Sequence, residues 1–496
     1  HLDKVAVVSP EQSMNYRELL SAACGLAAVI SEKYQTVGVM VGRSPLIVVS
    51  YLAALLAGKP FVPLDPTQPD DRLLRCVSVA GVDVVIVDGT TKGRVGETYG
   101  TASVIDVNQI PPSDVLPHTK VDESRVAYVM FTSGSSGEPK GVAVTEGNLR
   151  NLLDSVADDP GMVPSDRFLA LTPVSFDISL LELLLPLTVG ASIEIVPDAV
   201  RRDGRALAAS LNNPRITVAQ ATPSTWRALR DVGWEAASPI TILCGGEHLE
   251  EELAQYLLSQ NGALYAMYGP TETTIWAGWH RVSDARDVTL GIPARGTNYY
   301  VVDESGNSVD AGVIGELVIE GRSVARGYLN SSDAPFGSLQ AGIPAYRTGD
   351  LVRHHGGGRV VFIGRKDEQR KINGYRVEPG EIAAVVRAAL PGATVFIVVG
   401  KQPEPHIRCF VWKADGDLLD LESVRHRCKQ YLPHYLVPKV IRRLRTVPVT
   451  QNGKSDVGRM ADSALEDLDL WPEDRRASSA EKSSVGLANS HNTLAP

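Results

Sequence analysis

The sequence predicts an α/β protein: a large N-terminal domain of layered αβ sheets with a small β-rich subdomain, then a small α+β C-terminal domain. Three observations support this prediction. The 496-residue chain exceeds the length at which a single hydrophobic core keeps growing. Short β-branched runs alternate with Ala- and Leu-rich stretches, as in layered αβ sheets. The pattern then changes near residue 290 and again after GYRVEPGEI.

The large domain is predicted from repeated strand–helix–strand units. Its first predicted strands are VGVMV (37–41), DVVIV (83–87) and VAYVMF (126–131). SPLIVVSYLAALLAG (44–58) predicts a buried helix, since it is too short to span a bilayer. The same alternation returns at 167–195 and at 216–243.

Two smaller units follow. YYVVDESGNSV and GELVIEGRSVARGYL, with glycine turns, predict the β-rich subdomain. ATVFIVVG, RCFVWKA and DLESVRHRCKQYL predict the α+β domain. We assign 1–366 to the large domain and 367–462 to the small one. The polar remainder, 463–496, has few core-forming residues, so we expect it to be disordered.

Composition argues against two classes of partner. Acidic residues (58) outnumber lysine and arginine (49), which gives a net charge of −9, and nothing indicates binding to nucleic acid or to a membrane. The five cysteines are scattered without a CxxC pair, which argues against a zinc site or a disulfide framework. No signal peptide heads the sequence. We therefore expect a cytoplasmic enzyme with reduced thiols.

The stretch FTSGSSGEPKGV (131–142) resembles a phosphate-binding loop without the Walker A spacing. Its glycines permit close backbone approach, so successive N–H groups can surround an anion. Hydroxyl donors and one lysine are added by Thr132, Ser133, Ser135, Ser136 and Lys140. The alternative is a solvated Gly/Ser turn, and this stretch alone does not decide between the two.

Further stretches flank this loop in a fixed order. They are AGKPFVPLDP (57–66), YGPTETT (268–274), GELVIEGRSVARGYLN (315–330), YRTGD (346–350), GRKDEQRKINGYRVEPGE (364–381), LPHYLVP (432–438) and NGKSD (452–456). Together they resemble the core motifs of amino-acid adenylation domains of nonribosomal peptide synthesis, within the adenylate-forming superfamily of acyl-CoA synthetases and luciferases. The resemblance extends from about residue 10 to about residue 460.

The resemblance implies that the loop holds the β- and γ-phosphates of ATP, which leave as pyrophosphate when a substrate carboxylate attacks the α-phosphorus. Residues implied to hold ATP and Mg²⁺ are Thr132, Ser133, Gly134, Ser135, Gly137, Lys140, Gly245, Gly246, Glu247, Tyr268, Gly269, Thr271, Glu272, Asp350, Arg365 and Lys454. Tyr268 would stack on adenine, Thr271 would lie by the α-phosphate, Glu272 would bind Mg²⁺ and Asp350 would accept the ribose hydroxyls. The alternatives are a core tyrosine for Tyr268 and solvated surface acids for Glu272 and Asp350.

Lys454 is implied to be the central catalytic residue, together with Thr132, Lys140 and Glu272. A point charge between the carboxylate and the α-phosphate would neutralise charge that develops in the transition state, whereas the alternative is a solvated turn lysine. Asp367 would be the hinge about which the small domain turns, or else an ordinary linker acid. Arg370 and Asn373 depart from the family pattern on the face implied to admit a carrier's thiol.

Asp177 in FDISLLE is implied to pair with the substrate's ammonium, and its alternative is a helix cap or turn acid. The remaining implied pocket residues are Ile178, Leu181, Gln220, Leu243, Gly245, Met267, Ile275, Trp276 and Lys454. Most are large and apolar, so the set resembles a glycine-selecting pocket. For Met267 and Trp276, plain core packing is a compatible reading.

The sequence thus predicts an enzyme that makes glycyl-AMP and transfers the glycyl group to the phosphopantetheine thiol of a carrier protein. No carrier attachment motif follows Asp456, so we expect loading in trans or a domain cut from a larger synthetase; a small activating accessory protein is an open partner. Alanine, β-alanine or another small amino acid is the alternative substrate. Other readings are an acyl-CoA or aryl-acid ligase, which Asp177 disfavours, and a catalytically inactive scaffold.

Overall fold

The protein is represented by a computed structural model. It describes residues 2–95, 102–117, 120–134, 138–329, 335–340, 342–356, 358–367, 369–372, 375–400, 407–413, 419–448, 455–456, 459–460 and 464–469. Two compact units are present, one of residues 1–133 and 139–376 and the other of residues 134–138 and 377–496. The division falls after Arg376, beyond the predicted hinge at Asp367, and the hinge stays a prediction.

The strands among the described residues are numbered in the order in which they occur along the chain. Those before residue 294 are β1 (Val5–Val8), β2 (Ser13–Asn15), β3 (Val37–Met40), β4 (Phe61–Pro63), β5 (Val84–Val87), β6 (Ser103–Asp106), β7 (Val126–Thr132), β8 (Lys140–Thr145), β9 (Arg167–Ala170), β10 (Ser192–Ile195), β11 (Val218–Ala221), β12 (Ile240–Gly245), β13 (Gly262–Tyr268), β14 (Gly278–Val282) and β15 (Ile292–Pro293). Those after it are β16 (Thr297–Val302), β17 (Ile314–Gly321), β18 (Gly327–Tyr328), β19 (Phe336–Gly337), β20 (Ala345–His354), β21 (Val360–Arg365), β22 (Arg370–Ile372), β23 (Tyr375–Val377), β24 (Thr394–Val399), β25 (Ile407–Trp412), β26 (Val440–Leu444) and β27 (Ala464–Asp469).

The α-helices lie between these strands. They are α1 (Tyr16–Lys33), α2 (Pro45–Leu56), α3 (Asp70–Ala80), α4 (Glu146–Val156), α5 (Ile178–Val189), α6 (Asp198–Arg201), α7 (Gly204–Leu211), α8 (Pro223–Asp231), α9 (Glu251–Leu258), α10 (Pro379–Ala389) and α11 (Leu421–Tyr431). In the part of the chain that the structure describes, no helix has the length and apolar character needed to cross a bilayer.

The first unit is built on three main sheets. One has nine strands in the order β15-β14-β13-β12-β11-β9-β10-β1-β2, and one has seven in the order β18-β8-β7-β4-β3-β5-β6. The third runs β16-β17-β20-β19, with β21 paired to β20. These are the layered sheets and the β-rich subdomain that the sequence predicts, and the predicted fold class is confirmed.

Helix ends in the first unit follow local chemistry. α1 begins with a capping box, because the Asn15 side chain accepts from the Glu18 N–H and the Glu18 side chain accepts from the Asn15 N–H. α2 begins at Ser44 and Pro45, a capping hydroxyl followed by a residue whose φ already suits a helix. Both α2 and α5 are almost wholly apolar, so they are buried within one core cluster against the sheets.

The second unit contains a four-stranded sheet in the order β24-β25-β26-β27, with α10 and α11 beside it. The combination of one sheet with two helices is the α+β architecture that the sequence predicts for the small domain. One expectation is corrected: residues 464–469 were assigned to the disordered tail, but they form β27, which pairs antiparallel with β26. A polar segment can serve as an edge strand because the ladder uses backbone groups and does not require an apolar side chain at every position.

Candidate active site

Parallel strands bring the predicted pocket residues to one edge of the nine-stranded sheet. β9, β11, β12 and β13 run parallel, so their carboxyl ends meet there. Gln220 lies on β11, Leu243 and Gly245 on β12, and Met267 and Tyr268 on β13. Open α/β sheets bind ligands at such edges.

The turn after β13 places the indole of Trp276. Thr274 and Ile275 lie in the left-handed region, with φ of 60° and 66°, a conformation that costs roughly 1–3 kcal/mol per residue and must be held by its surroundings. Thr274 Oγ1 donates to the carbonyl of Ser323 at 2.8 Å, and the Trp276 N–H donates to the Thr274 carbonyl at 2.7 Å. These bonds fix the turn.

Trp276 then lies against the backbone of Gly245. A Cβ built on Gly245 would be 2.4 Å from the Met267 carbonyl oxygen and 2.7 Å from Cη2 of Trp276. No side chain fits in that space, which explains why glycine stands at this position.

The other predicted pocket residues are closely packed. Ile178, Leu181, Leu243, Met267, Ile275 and Trp276 are each at most 5% exposed and belong to one core cluster. A cavity of about 170 Å³ lies beside them and is lined by Phe176, Ile178 and Tyr375, among others. Of the predicted pocket residues that the structure describes, Ile178 is the one that lines this cavity.

Asp177 occupies the N-cap position of α5. It is buried at 7% exposure, and its side chain accepts no capping hydrogen bond from the helix. Burial raises the pKa of Asp177 to about 6; a hydrogen bond from the Thr271 side chain lowers it, and nearby Glu272 raises it. A buried carboxylate is costly unless a cation joins it.

The phosphate-loop residues lie at the β7–β8 hairpin. Thr132 ends β7 and pairs in register with Lys140, which begins β8. Thr132 Oγ1 is buried and has no hydrogen-bond partner among the described residues. Ser133 Oγ donates to the Arg376 carbonyl at 2.9 Å. The tip of the loop, Ser135, Ser136 and Gly137, lies outside the described residues.

Glu272 is the centre of a buried charged cluster. It is 0% exposed, and its Oε1 accepts from Tyr328 Oη at 2.6 Å and from Arg376 Nη1 at 2.7 Å. Lys140 Nζ lies 5.3 Å from the ring centroid of Tyr328. Burial alone would raise the pKa of Glu272, but Arg376 and Tyr328 outweigh it and the pKa is lowered. Glu272 is therefore not the solvated surface acid of the alternative reading.

Glu272 could serve as the single protein ligand of a Mg²⁺ ion. Glu272 Oε2 is buried without a hydrogen-bond partner in the described part of the chain. No group of three or more His, Cys, Asp or Glu side chains among the described residues could hold a metal. Mg²⁺ commonly takes one or two carboxylates and completes its shell with substrate phosphates and water, which is the arrangement that Glu272 could serve.

Asp350 accepts hydrogen bonds from Tyr268 and from Arg365, the last residue of β21. Its Oδ2 accepts from Tyr268 Oη at 2.5 Å and its Oδ1 accepts from Arg365 Nη1 at 2.6 Å. Arg365 also donates to both oxygens of Asp367, each at 2.7 Å. Asp350 is 7% exposed, so it too is not a solvated surface acid. The predicted adenine and ribose residues thus lie together.

Two further predicted residues, Gly246 and Glu247, follow β12 directly. Gly246 has a φ of 86°, which favours glycine, and Glu247 Oε2 accepts from Ser224 Oγ at 2.7 Å. Lys454 and Asn373 lie outside the described residues, and the roles assigned to them stay predictions.

Three side chains in this region were not singled out from the sequence. Arg376 and Tyr328 bind Glu272, and Glu182 binds Gln220. All three stand inside stretches already quoted, GYRVEPGE, ARGYLN and FDISLLE. An acid amid leucines in FDISLLE was a usable signal, because a buried carboxylate requires partners.

The site and the fold define an enzyme that binds an adenylate. Residues 1–329 match the AMP-binding enzyme family, and the chain belongs to that family. Syringomycin synthase SyrB1 of Pseudomonas syringae pv. syringae is 32% identical over 482 residues, which cover 92% of this chain and 78% of that protein. The chain is therefore an adenylate-forming ligase of the nonribosomal peptide adenylation type, and the resemblance found in the sequence is confirmed.

Two further comparisons show how much of larger proteins the chain covers. The dimodular nonribosomal peptide synthase of Bacillus subtilis (strain 168) is 34% identical over 476 residues, and the chain spans 92% of its own length but 20% of that protein's. The crystal structure of holo-AB3403, a four-domain nonribosomal peptide synthetase bound to AMP and glycine, has a TM-score of 0.68 and 35% identity, with 92% of this chain and 35% of that chain covered.

Proposed function

We propose that the protein uses ATP and Mg²⁺ to activate glycine as glycyl-AMP and then transfers the glycyl group to the phosphopantetheine thiol of a carrier protein. The observation that carries the choice of glycine is the indole of Trp276 against the Gly245 backbone. Attraction cannot select glycine, because glycine offers no side-chain atom to hold, so the space must be filled instead. The four-domain synthetase holo-AB3403, which is 35% identical to this chain, was crystallised with AMP and glycine, and this supports the same choice.

In this proposal Asp177 pairs with the substrate's ammonium. The ion pair offsets the cost of burying its carboxylate, and it restricts the enzyme to amino acids. The substrate carboxylate, ionised at neutral pH, attacks the α-phosphorus while the bond to the bridging oxygen breaks and pyrophosphate leaves. Lys454 neutralises the charge that develops between the two.

The remaining residues hold ATP. Thr132 Oγ1, buried without a partner among the described residues, and Lys140 donate to the β- and γ-phosphates. Tyr268 supplies a ring for the adenine, and Asp350 accepts the ribose hydroxyls. Glu272 would hold Mg²⁺, which withdraws charge from the phosphate oxygens as pyrophosphate departs.

The second half-reaction needs a carrier. A thiol attacks the acyl carbon, and AMP leaves. In the proposal the small domain turns about Asp367 between the two half-reactions, and the carrier is a separate protein or an adjoining domain. Adding candidate accessory proteins to an ATP–pyrophosphate exchange assay tests whether such a partner activates the enzyme.

ATP–pyrophosphate exchange with each standard amino acid and with β-alanine tests the assignment. We expect glycine to give the highest kcat/KM. A preference for alanine or β-alanine would move the proposal to the alternative small substrate. Exchange driven only by acids without an amino group would favour an acyl-CoA or aryl-acid ligase, and no exchange with any acid would favour the inactive scaffold.

A further inference from the structure

A chain of buried hydrogen bonds begins at Glu182 on α5. Glu182 is 0% exposed. Its Oε2 accepts from the backbone N–H groups of Leu171 and Thr172, both at 2.9 Å, and its Oε1 accepts from Thr172 Oγ1 at 2.5 Å. The carboxylate is therefore fixed to the backbone after β9.

The chain continues through Gln220 to Trp276. Gln220 Nε2 donates to Glu182 Oε1 at 3.1 Å and to the Ile178 carbonyl at 2.8 Å. Gln220 Oε1 accepts from Trp276 Nε1 at 2.8 Å. Gln220 and Trp276 are 0% and 1% exposed. Solvent water therefore cannot take the place of either side chain in this hydrogen bond.

Polarity allows one orientation of the Gln220 amide. An ionised carboxylate and a backbone carbonyl only accept, and an indole N–H only donates. The amide must therefore direct its NH₂ to Glu182 and Ile178 and its oxygen to Trp276. If the amide turned over, the indole N–H would face two further donor hydrogens and would be left buried without a partner.

We propose that Glu182, acting through Gln220, is a positioning residue that holds the Trp276 indole across Gly245 and so sets the upper size limit of the amino-acid pocket. This rests on the proposed function, because it concerns the same pocket. Glu182 touches the backbone and Gln220; the contact with the substrate side is made by Trp276. Removing Glu182 should therefore change which amino acid is selected more than how ATP is bound.

Glu182→Gln is the sharpest variant. Its amide oxygen can still accept from the two backbone N–H groups, but its NH₂ then faces the NH₂ of Gln220, and Gln220 must turn over. We expect the ratio of kcat/KM for alanine over glycine, in pyrophosphate exchange, to rise by about three- to tenfold, the scale of one buried hydrogen bond. The apparent affinity for ATP should not change.

The assay is best run at pH 8. Burial raises the pKa of Glu182 to about 7, and its hydrogen bonds from Thr172 lower it, so the carboxylate is mainly ionised at that pH. Asp88→Asn is the matched control. Asp88 is a second buried carboxylate that accepts from backbone N–H groups, those of Gly42 and Thr90, and from threonine hydroxyls. It lies outside the pocket, so the ratio should stay at the wild-type value.

A double-mutant cycle separates positioning from general destabilisation. Gln220→Met keeps the length of the side chain but has no amide, so it also deprives Trp276 of its acceptor. We expect Gln220→Met to raise the ratio by itself, and Glu182→Gln to add little in that background. Additive effects would overturn the proposal. If Glu182→Gln does not fold, an unchanged ratio in Gln220→Met alone would overturn it equally.

A readout independent of activity is the ¹H–¹⁵N resonance of the Trp276 indole, assigned by its loss in Trp276→Phe. We expect this resonance to shift and to exchange faster with solvent in Glu182→Gln but not in Asp88→Asn. An unchanged resonance would contradict the proposal. Should the wild type prefer an amino acid other than glycine, the glycine assignment fails; the indole measurement and the cycle, run on the preferred amino acid against the next larger one, still test Glu182.

Discussion

Arg376 Nη1 lies 2.7 Å from Glu272 Oε1, and the second oxygen of that carboxylate has no hydrogen-bond partner in the described part of the chain. One oxygen is thus engaged by a cation of the protein. The other is available to a cation that arrives with the substrate.

Glu272→Gln should therefore weaken the response to Mg²⁺. Loss of an outer-sphere partner of a metal ligand commonly costs at least about tenfold in metal affinity, and loss of the ligand's charge should cost no less. We expect the Mg²⁺ concentration at half-maximal pyrophosphate exchange to rise by about tenfold or more. Glu194→Gln is the control. Glu194 on β10 forms an ion pair with Arg167 on β9, and its loss should leave the required Mg²⁺ concentration unchanged.

Arg376→Gln should destabilise the protein at neutral pH. Removing one partner of a buried ion pair leaves an uncompensated charge and costs about 3–5 kcal/mol. The lowered pKa of Glu272 means that its contribution to stability is present above the ordinary carboxyl pKa and is lost as the pH falls through the lowered value. The difference between variant and wild type in urea unfolding should therefore shrink at low pH, and a difference independent of pH would contradict the ion-pair account.

Asp177 should make amino-acid binding depend on pH. Its pKa is raised to about 6, and a proton on the carboxylate competes with the substrate ammonium. At saturating ATP we expect the apparent affinity for glycine to fall by up to about tenfold for each pH unit below about 6. Asp177→Asn should bind glycine weakly at every pH, without this step, and should bind ATP normally. Unchanged glycine affinity in Asp177→Ala would show that Asp177 does not bind the amino acid.

Lys454→Ala should slow adenylate formation by at least about a hundredfold, the scale of losing one preorganised electrostatic group. Transfer from preformed glycyl-AMP to a carrier thiol should suffer much less, since Lys454 is proposed to act only in the first half-reaction. The two rates are measured separately, by pyrophosphate exchange and by thioester formation. Adenylation near the wild-type rate would exclude Lys454 from the mechanism.

Trp276→Ser should open the pocket. Each methylene that a larger competitor can then bury favours it by about 1–3 kcal/mol, so activation of alanine and serine should rise by about tenfold or more relative to glycine. Thr271 and Asp177 are retained in this variant, and overall exchange activity should persist. A preference order that survives the truncation would mean that Trp276 does not limit the pocket.

Local patterns in the sequence were sufficient for much of the architecture. The buried strand at β5 and the apolar helix α2 follow from continuous β-branched and Leu-rich runs, since runs that are apolar on every side are stable only when they are buried on every side. The ordered motifs likewise predicted that Tyr268 and Asp350 belong to one site, and their side chains meet although they lie far apart in sequence; their roles toward the nucleotide stay predictions. The polar run at β27 was misassigned, because pairing of backbone groups is invisible to a hydrophobicity pattern.

The tertiary structure decided what each acid does. In the sequence Glu182 and Asp177 stand beside apolar residues and Glu272 stands between two threonines, and any of the three acids could have been a cap or a surface acid. Folding gives Glu182 four hydrogen bonds and buries Asp177 at the start of α5. It also places Arg376 on Glu272. The cost of burying a charge depends on partners brought from distant strands, and the sequence states the charge without stating the partner.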